Sequence, residues 1–372
     1  MKFSVEKNSL LKPLQMVSSV VEKRHTLPIL ANVLVSLDGQ RLSMTGTDHE
    51  VEISAESSVD SGGNSGDITI PAKKFLDIVR SLPEGSSISV ATEENSAVIT
   101  SGQSRFQLST LAANEFPNIE PQADDFRLSV PQNQLKQLVD KTAFAMAQQD
   151  VRYYLNGMLW EVHSDSLRAV ATDGHRLAMA TVAIDASAIN GLLEGSKQCI
   201  LPRKGVQELQ RLLNDSDETC DVIVSSNHLR VSLGNVIFTT KLIEGKFPDY
   251  QRVLPKNGDK IAIGDRLQLK QAFTRTSILS NEKYRGVRLV FDKDQLTISA
   301  NNPEREEAQD VVGLSYDSER LEVGFNVSYL LDVANVLSGE ELTFTLNDGN
   351  SSALIRDPED DNSSYVVMPM RL

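Results

Sequence analysis

The stretch Ala31-Asn32-Val33-Leu34, followed by Leu42-Ser43-Met44-Thr45-Gly46-Thr47-Asp48, decides how this chain is read, because it occurs three times. It returns as Asn156-Gly157-Met158-Leu159 with Leu167-Arg168-Ala169-Val170-Ala171-Thr172-Asp173. It returns again as Arg285-Gly286-Val287-Arg288 with Leu296-Thr297-Ile298-Ser299-Ala300-Asn301-Asn302. Positions 32 and 47, 157 and 172, and 286 and 301 are each fifteen apart, and the copies are offset by 125 and 129 residues. One third of 372 residues is 124, a good size for a single domain. Self-similarity at a fixed period is the mark of a repeat architecture. Flanking pieces recur too: Met1 to Val5 as Phe126 to Val130, Leu135-Lys136-Gln137 as Leu269-Lys270-Gln271, and Phe116-Pro117-Asn118 as Phe247-Pro248-Asp249.

Each copy orders its elements alike. A short strand leads into a helix with apolar residues at helical spacing, as at Leu10, Leu11, Leu14, Val17 and Val20. Alternating strands around Leu34 and Leu42 follow, joined by the turn Asp38-Gly39. A second helix opens after Pro71, Pro202 or Phe325, and more strands close the copy. Pro13 inside the first helix predicts a kink or a late helix start. Strand runs broken by two helices predict an α+β chain with antiparallel sheets and helices on one face. Linkers near Gln122-Ala123-Asp124 and Asn257-Gly258-Asp259 divide the chain into 1–124, 125–258 and 259–372, while Ser61 to Gly66 reads as a flexible loop.

Hydrophobic residues make up 40% and charged residues 24%, which excludes disorder as the main state. No run of about 18 apolar residues predicts a membrane span. The start MKFSVEKNSL has no apolar signal region, and Cys199 and Cys220 fit no metal or redox spacing, so a reducing, cytoplasmic setting is expected. No phosphate-cradling glycine loop, no H-E-x-x-H and no G-x-S-x-G is present. The histidines (His25, His49, His163, His175 and His228) have no ligand spacing, so no metal or cofactor is expected. Thr172-Asp173-Gly174-His175-Arg176 is the one cluster that suggests a hydrolase. Its counterparts Thr47-Asp48-His49-Glu50 and Asn301-Asn302-Pro303-Glu304 keep the place but not the chemistry, so the turn is read as structural.

The net charge, 37 basic against 51 acidic residues or −14, argues against holding nucleic acid by bulk charge. Divided by element, it says something else. Six helical windows (7–24, 72–82, 132–148, 203–213, 266–279 and 326–337) hold 15 basic and 5 acidic residues, leaving 22 and 46 elsewhere. Glu favours helices as much as Lys does, so its scarcity there marks a segregated charge. Helices gathered on one face make that face positive, suited to a polyanion held by its backbone.

The segments Thr26-Leu27-Pro28-Ile29-Leu30, Gln149 to Gly157, Ala171 to Leu177, Phe247-Pro248-Asp249-Tyr250, Ser280-Asn281-Glu282-Lys283 and Tyr365 to Leu372 carry a resemblance along the whole chain. The chain resembles the β sliding clamp family, the processivity subunits of bacterial DNA polymerase III. The resemblance implies three tandem clamp domains, antiparallel sheets outside and two helices per domain inside, in a ring-shaped head-to-tail homodimer. Such a ring encircles duplex DNA without reading its sequence and tethers the catalytic subunit of polymerase III, the clamp loader, other polymerases and repair proteins through short peptides. It is no enzyme and needs no cofactor.

By the same resemblance, a partner-peptide pocket comprises Leu155, Thr172, Gly174, His175, Arg176, Leu177, Pro248, Arg252, Val253, Ser352, Val366, Val367, Met368, Pro369, Met370 and Arg371. An apolar groove with soft Met walls suits short peptides from several partners. Asn350 stands where relatives often carry an aliphatic residue. The DNA path takes Arg24, Lys73, Gln149, Arg152, Tyr153, Tyr154, Arg203 and Lys204. At the dimer seam Phe106 and Leu108 meet Ile278 and Leu279, and Lys74 and Arg105 face Glu304, Glu306 and Glu307; Ser96 and Gln103 stand where some relatives are basic. Rival readings are an acidic three-domain peptide-binding scaffold that does not encircle DNA, and a hydrolase built on Asp173 and His175.

Overall fold

The computed structural model describes residues 1–372 apart from 23–26, 120–125, 192–194, 257 and 372. Arg24, the expected linker at 122–124 and Asn257 therefore lie outside the described residues. Six α-helices occur among the described residues: α1 (Lys7–Ser18), α2 (Ala72–Ser81), α3 (Gln132–Asp140), α4 (Arg203–Leu212), α5 (Arg266–Ser277) and α6 (Val327–Val336). Strand, helix, strands, helix, strands is the order in all three copies, and the sheets are antiparallel.

α1 corrects two expectations. It starts at Lys7 and runs through Pro13 without a late start. Proline leaves the carbonyl four residues earlier without its helical N–H, and here the Ser57 hydroxyl donates to the Ser9 carbonyl at 3.0 Å instead. α1 also stops at Ser18, short of the expected 24, where the Ser19 N–H and hydroxyl both donate to the Met16 carbonyl. α3 likewise ends at Asp140, and a separate 3-10 turn, Ala143–Ala145, follows. α1 lies on the strands Arg41–Thr47 and Val51–Ser58 so closely that a Cβ at Gly46 would stand 2.1 Å from the Val17 carbonyl oxygen. Leu10, Leu14 and Val17 are fully buried along that contact.

The chain forms two compact units, 1–133 with 187–193 and 204–242, and 134–186 with 194–203 and 243–372. The first holds a five-stranded and a nine-stranded sheet. In the nine-stranded sheet Val236–Lys241 pairs with Val51–Ser58, so the last strand of the second copy extends the sheet of the first, with Phe238 opposite Ile53. The second unit repeats the arrangement. Asp360–Val367, the last strand of the third copy, pairs with Arg176–Ala183 of the second, with Tyr365 opposite Ala178. Ile53 and Ala178 are equivalent, since they face Gly46 and Ala171 across their own hairpins. In both units the two copies are thus stitched into one sheet by matching strands.

The same strands in the remaining copies are sheet edges. Ser104–Ser109, the counterpart of Val236–Lys241, ends the five-stranded sheet of the first unit. Glu307–Gly313, the counterpart of Val51–Ser58, ends the four-stranded sheet of the second.

Candidate functional site

The turn that closes each repeated hairpin has the same bonding in the first two copies. The Thr47 hydroxyl donates to the Val51 carbonyl at 2.9 Å, and the His49 N–H donates to Thr47 Oγ1 at 3.2 Å. Asp48 Oδ1 accepts the N–H groups of Glu50 and Val51 at 2.9 and 2.7 Å. In the second copy Thr172 donates to the Arg176 carbonyl at 2.6 Å and accepts from the Gly174 N–H at 3.1 Å, and Asp173 Oδ1 accepts from His175 and Arg176 at 2.9 and 3.0 Å. The middle residue takes a positive φ in both, 76° at His49 and 88° at Gly174. The third copy keeps the capping role with a longer loop, Asn302 Oδ1 accepting from the Glu306 N–H at 2.9 Å.

This bonding occupies the chemistry a hydrolase would need. The second oxygen of Asp173 takes Arg176 Nε at 3.1 Å, and the His175 side chain is exposed. Arg176 also bonds Asp332 of α6, donates to the Phe144 carbonyl at 2.8 Å, and stacks between the Phe144 and Tyr329 rings at 5.2 and 4.4 Å.

Beside this turn lies a buried apolar cluster. Leu155, Leu177 and Val366 join Leu159, Val170, Ile200, Phe247, Tyr250 and Leu354 in one buried cluster, with Tyr154, Met179, Val253 and Leu254 packed half-exposed against it. The terminal segment runs along the turn: the Met368 N–H donates to the His175 carbonyl at 2.9 Å, and the Met370 N–H to the Gly324 carbonyl at 2.9 Å. Met368, Pro369 and Met370 are half-buried, while Val367 is fully buried opposite Arg176 and Ala353. Pro248 and Arg252 flank the cluster from the exposed segment that carries Phe247 and Tyr250, and Arg252 Nε pairs with Asp249 at 2.8 Å. Ser352 is half-buried beside Ala353, Asn350 is exposed in the preceding turn, and Arg371 is exposed. The structure thus gathers Leu155, Leu177 and Val366 into one buried cluster with Val253 packed against it, and sets Met368 beside the Thr172 to Arg176 turn.

Sequence reading missed what stands behind this cluster. Glu161 is buried in the otherwise apolar strand Gly157–Val162; a carboxylate at such a position is itself a signal, since a buried charge requires partners. Tyr250 donates to Glu161 Oε2 at 2.7 Å, Gln198 Nε2 donates to Oε1 at 2.7 Å, and Arg168 Nη1 donates to the Tyr250 hydroxyl at 3.1 Å. Burial raises the carboxyl pKa, but bonds from Tyr250 and Gln198 together with nearby His163 outweigh it and hold Glu161 below its ordinary value.

Among the expected DNA-path residues, Lys73 is exposed on α2 and Gln149 is exposed at φ 56°. Arg152 is exposed but committed: Nε and Nη2 donate to the two oxygens of Asp150 at 3.0 and 2.8 Å, which holds that carboxyl down to about 2. Tyr153 is 57% exposed and meets the half-buried Tyr154 edge to face at 5.7 Å. Arg203 donates to the Met146 carbonyl at 2.9 Å. Lys204 bonds both Glu22 and Asp48; burial lowers its pKa, but those two carboxylates outweigh it and raise the value.

The expected seam residues are divided between the units. In the first, Phe106 is half-buried and Leu108 buried on the edge strand, Lys74 is exposed, and Arg105 lies 3.8 Å from Glu93. Ser96 and Gln103 are half-buried and exposed respectively. In the second, Ile278 is 73% exposed at the end of α5, Leu279 is half-buried, and Glu304, Glu306 and Glu307 are exposed. Both cysteines are free and buried, and burial pushes their thiols up to about 12. Among the described residues no cluster of acidic, His and Cys side chains could hold a metal, and no helix is long and apolar enough to cross a membrane.

Three family models match in sequence order: the DNA polymerase III beta subunit N-terminal domain over 1–120, its central domain over 129–249 and its C-terminal domain over 251–371. The beta sliding clamp of Pseudomonas aeruginosa is 52% identical over 372 residues, and that of Escherichia coli K12 49%, each across the full length of both chains. A crystal structure of the Pseudomonas aeruginosa DNA polymerase sliding clamp with ligand superposes at TM-score 0.96 over all of both chains, and Caulobacter crescentus pol III beta at 0.93 with 40% identity. Another structure shows the Pseudomonas aeruginosa clamp bound to griselimycin. The repeated fold, the stitched sheets and these full-length matches agree, and the chain belongs to the DNA polymerase III beta subunit family, the beta sliding clamps.

Proposed function

We propose that two copies of this chain close head to tail into a ring around duplex DNA. The observation that carries this reading is the pair of unpaired edges. Each described pairing between copies joins the last strand of one copy to the strand after the repeated turn of the copy before it. Ser104–Ser109 and Glu307–Gly313 are the strands of those two types left at edges. An exposed edge invites pairing with another chain, and a heterologous contact that closes makes a ring. Extending the register of the two internal pairings places Phe106 of one chain opposite Ala308 of the other, as Phe238 stands opposite Ile53 and Tyr365 opposite Ala178. Phe106 and Leu108 then pack near Ile278 and Leu279, and Lys74 and Arg105 face Glu304, Glu306 and Glu307. The three clamp domains run 1–124, 125–258 and 259–372.

As a clamp the chain is an accessory subunit and not a catalyst. Within their observed bounds the helices carry Asp77, Asp140, Glu208 and Asp332 as their only acidic residues, against Lys12, Lys73, Lys74, Arg80 and further basic residues, of which Lys7 is buried on Glu84. Charge of this kind holds DNA without reading its sequence and exchanges along it. Lys73, Gln149, Arg152 and Tyr153 offer exposed contacts on the DNA path, with Arg24, Tyr154, Arg203 and Lys204 completing it. The apolar wall around Leu155, Leu177, Val253 and Val366, rimmed by Thr172 to Arg176 and by Met368 to Arg371, takes short peptides of the polymerase catalytic subunit, the clamp loader and other replication and repair proteins in the cytoplasm. Once loaded onto circular DNA the protein should stay bound in high salt and be lost when the circle is linearised. Equal retention on both forms contradicts encirclement and favours a scaffold.

A further inference from the structure

Four strands cross the floor beneath the groove in register. One transverse row is apolar: Ile200, Leu159, Val170 and Met179 stand opposite one another on Lys197–Pro202, Gly157–Val162, Ser166–Thr172 and Arg176–Ala183. The next row on the same face, two residues along each strand, is polar: Gln198, Glu161, Arg168 and Thr181. Gln198 and Glu161 are bonded at 2.7 Å, and Arg168 Nε donates to Thr181 Oγ1 at 3.2 Å. The gap between Glu161 and Arg168, 3.6 Å from Oε2 to Nη1, is bridged by the hydroxyl of Tyr250. The Tyr250 ring meanwhile packs in the buried cluster that includes the apolar row.

Tyr250 comes from the 3-10 turn Tyr250–Arg252, which carries Arg252 and leads directly into Val253. It is therefore fixed at both ends, the ring on the apolar row and the hydroxyl on the polar one. A tyrosine held this way sets one position for its backbone, because sliding by a row would put the hydroxyl against Leu159 and Val170 or the ring against Glu161. Such a slide would also take from Glu161 Oε2 its 2.7 Å bond, leaving it the longer contacts to His163 at 3.2 Å and Arg168 at 3.6 Å, and a buried bond to a charged group is costly to lose.

We propose that Tyr250, through the Gln198–Glu161–Arg168–Thr181 row, is the positioning residue that sets Arg252 and Val253 at the width a bound peptide requires. This rests on the groove reading given above. The row acts through Tyr250, by fixing the segment that carries Arg252 and Val253 against the cluster that holds Leu177.

Griselimycin, the molecule bound by the Pseudomonas clamp, serves as the probe, with its Kd measured by calorimetry on the full-length protein well below the melting temperature. Tyr250→Phe should weaken binding by about tenfold, the effect of one lost bond to a charged partner, while retention on circular DNA stays at the unmodified level. Glu161→Gln keeps an acceptor for the phenol and should lie closer to the unmodified protein than Glu161→Leu does. A Tyr250→Phe protein that melts earlier but binds with unchanged Kd overturns the inference, because a merely structural role would give that result. Griselimycin binding that is unchanged in Leu177→Asp and in Met368→Asp overturns the groove reading and the inference with it.

Discussion

The Thr47 to Val51 turn and the Thr172 to Arg176 turn share four bonds from the Thr and Asp side chains to the backbone and differ in what holds the second aspartate oxygen. Asp48 passes it to Lys204, which belongs to α4 in the following copy and also bonds Glu22. Asp173 passes it to Arg176 of its own turn, and that guanidinium reaches Asp332 of α6, again in the following copy. Both turns thus tie one copy to the second helix of the next, by a direct cation in one case and a relayed one in the other. A repeated backbone frame leaves the outward oxygen free to take different partners. The relayed form also places a half-buried guanidinium beside the buried cluster that holds Leu155, Leu177 and Val366, where the peptide groove is proposed. At the third turn Asn302 replaces the aspartate and Glu304, Glu306 and Glu307 follow it. In the proposed ring the matching helix there is α2 of a second copy, with Lys73 and Lys74 exposed on it.

The comparison can be broken most severely at Arg176. Arg176→Ala strips a 13%-exposed guanidinium from Asp173, Asp332 and the Phe144 carbonyl. It should cost about 3 kcal/mol in urea unfolding; a loss below about 1 kcal/mol would mean the relay is ornamental. Lys204→Met tests the direct tie. The Asp48 side chain is only 4% exposed, yet it keeps two backbone N–H donors, so the expected loss is smaller, about 1–2 kcal/mol. A larger loss than at Arg176 would reverse the ranking of the two ties.

The shared frame predicts opposite signs at its middle residue. Gly174→Ala places a Cβ at positive φ and 2.9 Å from the Arg152 guanidinium, and should destabilise by about 1 kcal/mol. His49→Gly relieves the same backbone strain and should leave stability equal or higher by a few tenths of a kcal/mol. The smallest effect concerns Asp150, whose carboxyl is held to about 2 mainly by its bond from Arg152. A carboxylate with a lowered folded pKa contributes order that is present above its ordinary pKa and lost as pH falls through the folded value. Its NMR titration midpoint should therefore lie near pH 2 and return toward the ordinary carboxylate value in Arg152→Ala; an unchanged midpoint in that variant removes the loop staple.

Much of this was legible in the residues. The fifteen-residue spacing located every repeated hairpin, and the changing chemistry of the Thr-Asp turn marked it as structural. Pro13 does not delay the start of α1, and Ser57, distant in sequence, supplies the missing donor to the Ser9 carbonyl. The helical windows at 7–24 and 132–148 ran long, because apolar periodicity continues into segments closed by local hydroxyl and 3-10 bonds. The groove residues were named through resemblance, whereas Tyr329, Asp332 and the Glu161 row were not. Their roles depend on strand register and on contacts across well over a hundred residues of chain, as from Arg176 to Asp332, which no local pattern encodes.

Ring closure through the two free edges is tested most directly by a cross-link at the extrapolated register. Phe106→Cys combined with Ala308→Cys places one new thiol on each edge, and the native Cys199 and Cys220 are buried away from exchange. Under mild oxidation, a denaturing gel should show a covalent dimer at twice the 40.9 kDa chain mass, with either single variant remaining monomeric. A double variant that oxidises only to monomer, while its native mass is also that of one chain, would contradict closure by these edges.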